Sequence, residues 1–190
     1  KNQNDVDQYL HLTLMKKLEH VKLYSSARSG NIKCLKYAHE VVKATDDSWT
    51  LCNAAKSGSL ACLKYAHKII KATDTHDTLS DAAQSGNIEC LKYAFNIIKA
   101  TNVRNNTLHF AASSGSLDCL KYAFNVIGAT DVNNWTLSDA ALSGSLACLK
   151  YSHNVIGATD FYNNALHYAA ESKNVSCIEY CIQHFCKQEI

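Results

Sequence analysis

The chain has 190 residues, 47% of them hydrophobic and 19% charged, which is enough apolar content for a buried core and argues against disorder. Length suggests one or two domains, and a net charge of +2 is too mild to point to nucleic acid by itself. No stretch approaches the roughly 18 consecutive apolar residues of a membrane span. Charge shifts along the chain: residues 1–100 hold 14 Lys/Arg against 10 Asp/Glu, and residues 101–190 hold 5 against 7.

The opening, KNQNDVDQYL, has neither a secretory-leader pattern nor an initiator Met and reads as a piece of something longer. Residues 5–20 predict a helix, either a cap or the second helix of a truncated unit, so that residues 1–20 form the first section of the molecule. From residue 21 onward one phrase recurs. It reads SGNIKCLKYAHEVVKATD at 29–46, SGSLACLKYAHKIIKATD at 57–74 and SGNIECLKYAFNIIKATN at 85–102, then SGSLDCLKYAFNVIGATD at 114–131 and SGSLACLKYSHNVIGATD at 143–160. Cys34, Cys62, Cys90, Cys119, Cys148 and Cys177 are separated by 28, 28, 29, 29 and 29 residues, and Ala27, Ala55, Ala83, Ala112, Ala141 and Ala170 keep step. A fixed period of this size is the signature of a solenoid.

Each unit predicts two short helices. In the fourth, Leu108, Ala111 and Ala112 fall at i, i+3 and i+4, an apolar stripe on a first helix. Gly115 then sits where a helix end turns left-handed, and Gly30, Gly58, Gly86 and Gly144 repeat it. Asn31, Ser59, Asn87, Ser116, Ser145 and Asn174 follow as N-caps of a second helix. That helix carries Leu117, Leu120, Ala123, Phe124 and Ile127 on its inner side and ends near ATD. A pair this small cannot bury its face alone, so neighbours must stack.

TLHFAASSGSLDCLKYAF (107–124) and ALHYAAESKNVSCIEYCI (165–182) resemble the ankyrin repeat, with its T-P-L-H-x-A-A turn and helix, its Gly and its I-V-x-x-L-L helix. Leu108-His109 stand at the motif's Leu-His, Ala111-Ala112 at its Ala pair, Gly115 at its Gly and Cys119-Leu120 at its Ile-Val. The resemblance covers about residues 21–190. The period is shorter than the family's roughly 33 residues, the motif Pro is Thr or Ala, and the Gly ending the second helix is Val or Ile (Ile98, Ile127). Gly128 and Gly157, or Lys43, Lys71 and Lys99, occupy the next place. The short CLKYA variety is similar to repeats common in giant DNA viruses and protists. The resemblance implies an all-α helix-turn-helix solenoid with shortened inter-repeat hairpins. Its six repeats run at about 21–48, 49–76, 77–105, 106–134, 135–163 and 164–190, in one continuous domain. Lys173 replaces the repeated Gly in the terminal unit.

Nine cysteines read as core packing. Helices 8–10 Å apart cannot join ladder cysteines whose Cα atoms must lie within about 7 Å, and an odd count without a leader favours a reducing compartment, cytoplasmic or nuclear. CIEYCIQHFC offers Cys177, Cys181 and His184 on one side of a helix as the best metal candidate, but that face should pack on the fifth unit, so neither a metal nor a cofactor is expected. His39, His67 and His153 alternate with Phe95 and Phe124, which marks a half-buried packing position. His109 and His167 take the family's His, which the resemblance implies bonds local backbone. No triad, phosphate loop or H-E-x-x-H is present, and no catalysis is expected. Lys36, Lys64, Lys92, Lys121 and Lys150 form a stripe without interleaved aromatics, read as a solvated face and, as the alternative, a nucleic-acid contact.

Variation between units falls on the connections and the outer side of the first helix. There stand Trp49, Asn53, Lys56, His76, Asp81, Gln84, Arg104, Phe110, Ser113, Trp135, Asp139, Leu142, Tyr162, Tyr168 and Glu171. The resemblance implies that this strip faces a concave groove where a partner protein docks, with Phe110, Trp135, Leu142 and Tyr168 making its C-terminal half apolar and Arg28, Lys56 and His76 its other end polar. Trp49 and Trp135 could alternatively pack on the neighbouring connection. The expected molecule is a monomeric, non-catalytic protein-binding module without membrane contact.

Overall fold

A computed structural model describes residues 22–185 apart from 47, 75–76, 102–105, 131–133 and 161–162. The helix expected within residues 5–20 lies outside the described residues. The rest is twelve helices in six antiparallel pairs, with no strand among the described residues. First helices are α1 (Leu23–Arg28), α3 (Thr50–Lys56), α5 (Thr78–Gln84), α7 (Thr107–Ser113), α9 (Thr136–Leu142) and α11 (Ala165–Ser172). Second helices are α2 (Ile32–Lys36), α4 (Leu60–Tyr65), α6 (Ile88–Tyr93), α8 (Leu117–Asn125), α10 (Leu146–Tyr151) and α12 (Val175–Phe185). Four of these continue into one wider turn of π geometry, at Tyr37–Val41, Ala66–Ile70, Ala94–Ile98 and Ser152–Ile156.

The two rows form two layers. Each first helix lies against the first helix before and after it. Alanine makes that approach possible: Ala54, Ala55, Ala82, Ala83, Ala111, Ala112, Ala140 and Ala141 are wholly buried, and a methyl leaves helix backbones close together. Ala170 stands at the same register in the last pair and is exposed, on the side of α11 where no further first helix lies among the described residues. Between the layers Cys62, Cys90, Cys119, Cys148 and Cys177 alternate with fully buried leucines such as Leu63 and Leu120. Cys34 departs from the expected burial. It is exposed in the first described pair, where no described pair precedes it.

Each corner of the unit closes on its own backbone. The serine before each glycine donates from Oγ to the carbonyl three residues back and accepts the N–H two residues on, as in Ser85 to Ala82 O (2.7 Å) and Asn87 N to Ser85 Oγ (3.2 Å). Gly86 between them has φ +71. A Cβ there would meet only ordinary contacts with Ser114 at 3.6 Å, so it is the left-handed backbone that calls for glycine. Lys173 takes the same conformation in the last unit, at φ +59. The expected N-caps are formed: Asn87 Oδ1 accepts from Glu89 N at 2.9 Å and Ser116 Oγ from Cys119 N at 3.4 Å.

The second helices end in one recurring stop. Ala44, Ala72, Ala100, Ala129 and Ala158 donate from their backbone N–H to the carbonyl six residues earlier, at 2.9–3.0 Å, one residue wider than the closing bond of a Schellman motif. The residue ahead of each alanine is left-handed: Lys43 (φ +58), Lys71 (+64), Lys99 (+61), Gly128 (+71) and Gly157 (+72). The alanine of ATD is thus the buried tail of the stop, Ala72 being 5% and Ala129 3% exposed. A lysine in this conformation costs about 1 kcal/mol that glycine does not. We therefore expect Lys71→Gly and Lys99→Gly each to raise unfolding stability by about 0.5–1 kcal/mol in urea titrations, and Gly86→Ala to lower it by about 1 kcal/mol or more.

Candidate functional site

Along each first helix, the residue at its start and those four and seven positions later share one side, as Trp135, Asp139 and Leu142 do on α9. Polar residues of this strip engage one another across units. Arg28 Nη1 donates to Asn53 Oδ1 at 3.2 Å, and Lys56 Nζ lies 3.2 Å from Asp81 Oδ1. The end expected to be polar is therefore self-paired. Burial pushes the Asp81 carboxyl above its ordinary value, an effect the adjacent Lys56 ammonium only partly offsets. Gln84 Oε1 is screened from solvent without a hydrogen-bond partner among the described residues.

Farther along, Phe110 is half-buried against the core and its ring lies 4.3 Å from that of His109. His109 departs from the backbone bond that the resemblance implied: its Nδ1 reaches Asp139 Oδ2 of the next unit at 2.8 Å. His167 likewise meets Glu171 Oε1 at 3.1 Å, one turn on. Ser113 Oγ donates to the Phe110 carbonyl at 3.0 Å. Tyr168 is half-buried beside the core, whereas Leu142 (41%), Trp135 (43%) and Trp49 (54%) stand well out. The strip thus unites Trp135, Leu142 and the edges of Phe110 and Tyr168 in its C-terminal half. His76, Arg104 and Tyr162 lie outside the described residues.

The second-helix row carries features the sequence reading did not find. The lysine stripe does have interleaved aromatics. Lys36, Lys64, Lys121 and Lys150 each place Nζ 5.7–5.8 Å over the tyrosine ring of the next unit, Tyr65, Tyr93, Tyr151 and Tyr180, within cation–π range. Lys92 instead pairs with Glu89 at 3.1 Å. The same tyrosines explain the His/Phe alternation. His39, His67, Phe95, Phe124 and His153 each present a ring near-perpendicular to the next tyrosine, with centroids 5.8–6.4 Å apart. A histidine bonds the tyrosine hydroxyl itself, as His67 Nδ1 does with Tyr93 at 3.1 Å. Behind a phenylalanine, the following asparagine does so, Asn96 to Tyr122 at 2.8 Å and Asn125 to Tyr151 at 2.9 Å. Tyr65 donates to Glu40 at 2.6 Å, so the proton in its bond with His39 belongs to Nδ1. Burial, then the Glu40 carboxylate, push the Tyr65 phenol up to about 12. The recurrence of Tyr in CLKYA was the available signal.

The thiol and metal candidates take no part in a site. Burial raises Cys62, Cys119, Cys148 and Cys177 above the ordinary thiol value and pushes Cys90 up to about 11, which keeps them protonated and unreactive. Cys177 and Cys181 are fully buried while His184 lies exposed, its ring 4.3 Å from Tyr180. The helix therefore does not assemble the three as ligands, and among the described residues no group of three His, Cys, Asp or Glu could hold a metal ion. Cys186 lies outside the described residues. No helix among the described residues is long and apolar enough to cross a membrane.

A family model, ankyrin repeats in three copies, matches residues 79–151, the stretch from α5 to the end of α10. No curated protein matches the chain.

Two pH responses follow from these environments. Burial, with His184 nearby, lowers the His153 pKa, so its neutral form supports the fold above the ordinary His value and that support is lost as pH falls from there through the lowered one. His153→Phe, which copies Phe95 and Phe124, should remove that acid-side loss in a pH series of denaturation curves. Asp81 has the opposite sense: its contribution is present below the ordinary carboxylate value and lost as pH rises through its raised one. Asp81→Asn should flatten that loss, and Lys56→Ala should shift it to higher pH.

Proposed function

With residues 79–151 belonging to the ankyrin-repeat family, whose members are generally non-catalytic protein–protein interaction modules, we propose that this chain binds a partner protein along its first-helix strip. The observation that carries the reading is the exposure of Trp135 and Leu142 on one side of α9, beside Phe110 and Tyr168. Exposed aromatic and aliphatic side chains held on packed helices are typical interface anchors, and a rigid array loses little conformational freedom on docking. The His109–Asp139 pair links α7 to α9 beside Phe110, whose ring lies 4.3 Å from that of His109. The polar half, where Lys56 and Asp81 pair with each other, gives orientation rather than strength. The chain acts as a monomer without cofactor, in the reducing cytoplasm or nucleus, with residues 21–190 as one binding domain.

Nucleic acid is the weaker reading. Four of the five stripe lysines rest on tyrosine rings and the fifth on a glutamate, so the charges are already engaged.

The test is affinity capture from cell lysate at low and high salt, comparing the chain with Trp135→Ser/Leu142→Ser. A discrete protein retained at high salt and weakened about tenfold or more by the double variant is expected. Recovery of nucleic acid alone, lost at high salt and indifferent to the variant, would refute the strip reading.

A further inference from the structure

The outer face of the second-helix row holds a second ladder that the strip does not involve. Val41, Ile69, Ile97, Val126 and Val155 occupy one register position and are 54–61% exposed. A single exposed aliphatic residue is ordinary, but five at the same place in successive units form a continuous apolar line. In the first three units each is followed two residues later by an exposed lysine, Lys43, Lys71 and Lys99. All three have positive φ, a conformation that Lys173 shares at the glycine corner of the last unit. Units four and five of the same chain put Gly128 and Gly157 there, so glycine suits the fold and lysine strains it. Strain kept at one position in three consecutive units points to use of the side chain. The rest of this face leans the same way. Setting aside Lys36 and Lys64, which lie over tyrosine rings, and the Lys92–Glu89 pair, the second helices and stops of residues 32–99 carry Lys33, Lys43, Lys68, Lys71 and Lys99 against Glu40, whereas residues 117–185 of the same row, setting aside the ring-bound Lys121 and Lys150, carry Asp118 and Glu179.

We propose that the outer face of α2, α4 and α6 is a docking site for an acidic amphipathic helix, with Val41, Ile69 and Ile97 meeting its apolar residues and Lys43, Lys71 and Lys99 its carboxylates. Charge complementarity names the partner's sign. Spacing names its form: packed helices sit about 10 Å apart, and seven residues of a helix, nearly two turns, rise about 10.5 Å, so a heptad spacing of apolar residues keeps register across three units. Shallow recesses between successive second helices follow the same register. One of about 210 Å³ is lined by Leu60, Lys64, Tyr93, Asn96, Ile97 and the paired Lys92 and Glu89, and one of about 360 Å³, beyond the three units, by the corresponding Ile88, Lys92, Asp118, Lys121, Tyr122, Asn125 and Val126. A second copy of this chain would set lysine ladder against lysine ladder, which disfavours self-association. A membrane surface would call for inserting Trp, Phe or Leu; of the three register tyrosines here Tyr37 is 50% exposed, while Tyr65 and Tyr93 are only 8% exposed. Nucleic-acid bases would need free ring faces, and these rings lie under lysine ammoniums.

The test uses a fluorescent helical peptide of about three heptads, leucine at every seventh residue flanked by glutamates, and fluorescence anisotropy with the full chain. Binding is expected, weakened about tenfold or more by Lys71→Gly/Lys99→Gly and by Ile69→Ser/Ile97→Ser. It should be unchanged by Trp135→Ser/Leu142→Ser, so failure of the strip reading and of this one are told apart. The Lys→Gly pair keeps the fold by its own geometry, and urea titration of each variant verifies it. The proposal is overturned if a peptide with glutamines for its leucines binds equally well, or if both face variants leave affinity unchanged. It is equally overturned if phosphatidylserine vesicles or duplex DNA bind this face and the acidic peptide does not.

Discussion

Everything in this molecule depends on a unit being completed by its neighbour. A pair of helices five to eleven residues long has too little interior of its own, and apolar burial becomes sufficient only when alanine faces of successive first helices meet and cysteine–leucine faces close beneath them. The polar chemistry obeys the same rule. The hydroxyl of Tyr93 is satisfied by His67, the ammonium of Lys64 by the Tyr93 ring and the carboxylate of Asp81 by Lys56, each time from the adjacent unit. Stability is then a sum of nearest-neighbour terms, with exposed Ala170 and exposed Cys34 marking the two open faces of the described array.

The two faces of the solenoid spend their variation differently. On the first-helix row the scaffold residues are small and invariant, and side chains at two or three positions per helix change in size and polarity from Asn53 to Phe110 to Tyr168. On the second-helix row the side chains barely change. What differs there is the ring beside the next tyrosine, histidine in three units and phenylalanine in two, and the closing residue, lysine in three units and glycine in two. The first pattern suits recognition of a shaped partner surface; the second suits a repeating line of charge beside a repeating line of aliphatic groups.

Much of the fold was legible because its signals are local. Glycine stops, serine and asparagine caps and the cysteine and alanine ladders are set by backbone conformation and helical spacing within one unit. Interactions that cross units were not. His39 and Tyr65, or His109 and Asp139, lie 26 and 30 residues apart, and a period tells that such positions recur without telling which side of one helix faces which side of the next. The stripe of lysines therefore read as solvated although tyrosines lie beneath it, and His109 read as a local backbone partner although it reaches into the next unit. Of the strip, the positions were legible, while the self-pairing of its polar half was not.

The spacing of 28 residues in two steps and 29 in three has its own consequence. From Lys71 to the first residue of the next helix, Thr78, is seven residues, and from Lys99 to Thr107 it is eight. The additional residue falls in the connection, outside every ladder. Helix lengths, caps and stops are thus indifferent to it, and a block of either length can be removed, doubled or exchanged with its ends rejoining in register. An array so built can lengthen or shorten by whole units through recombination between its own near-identical segments, and binding surface grows or shrinks in steps of one helix pair.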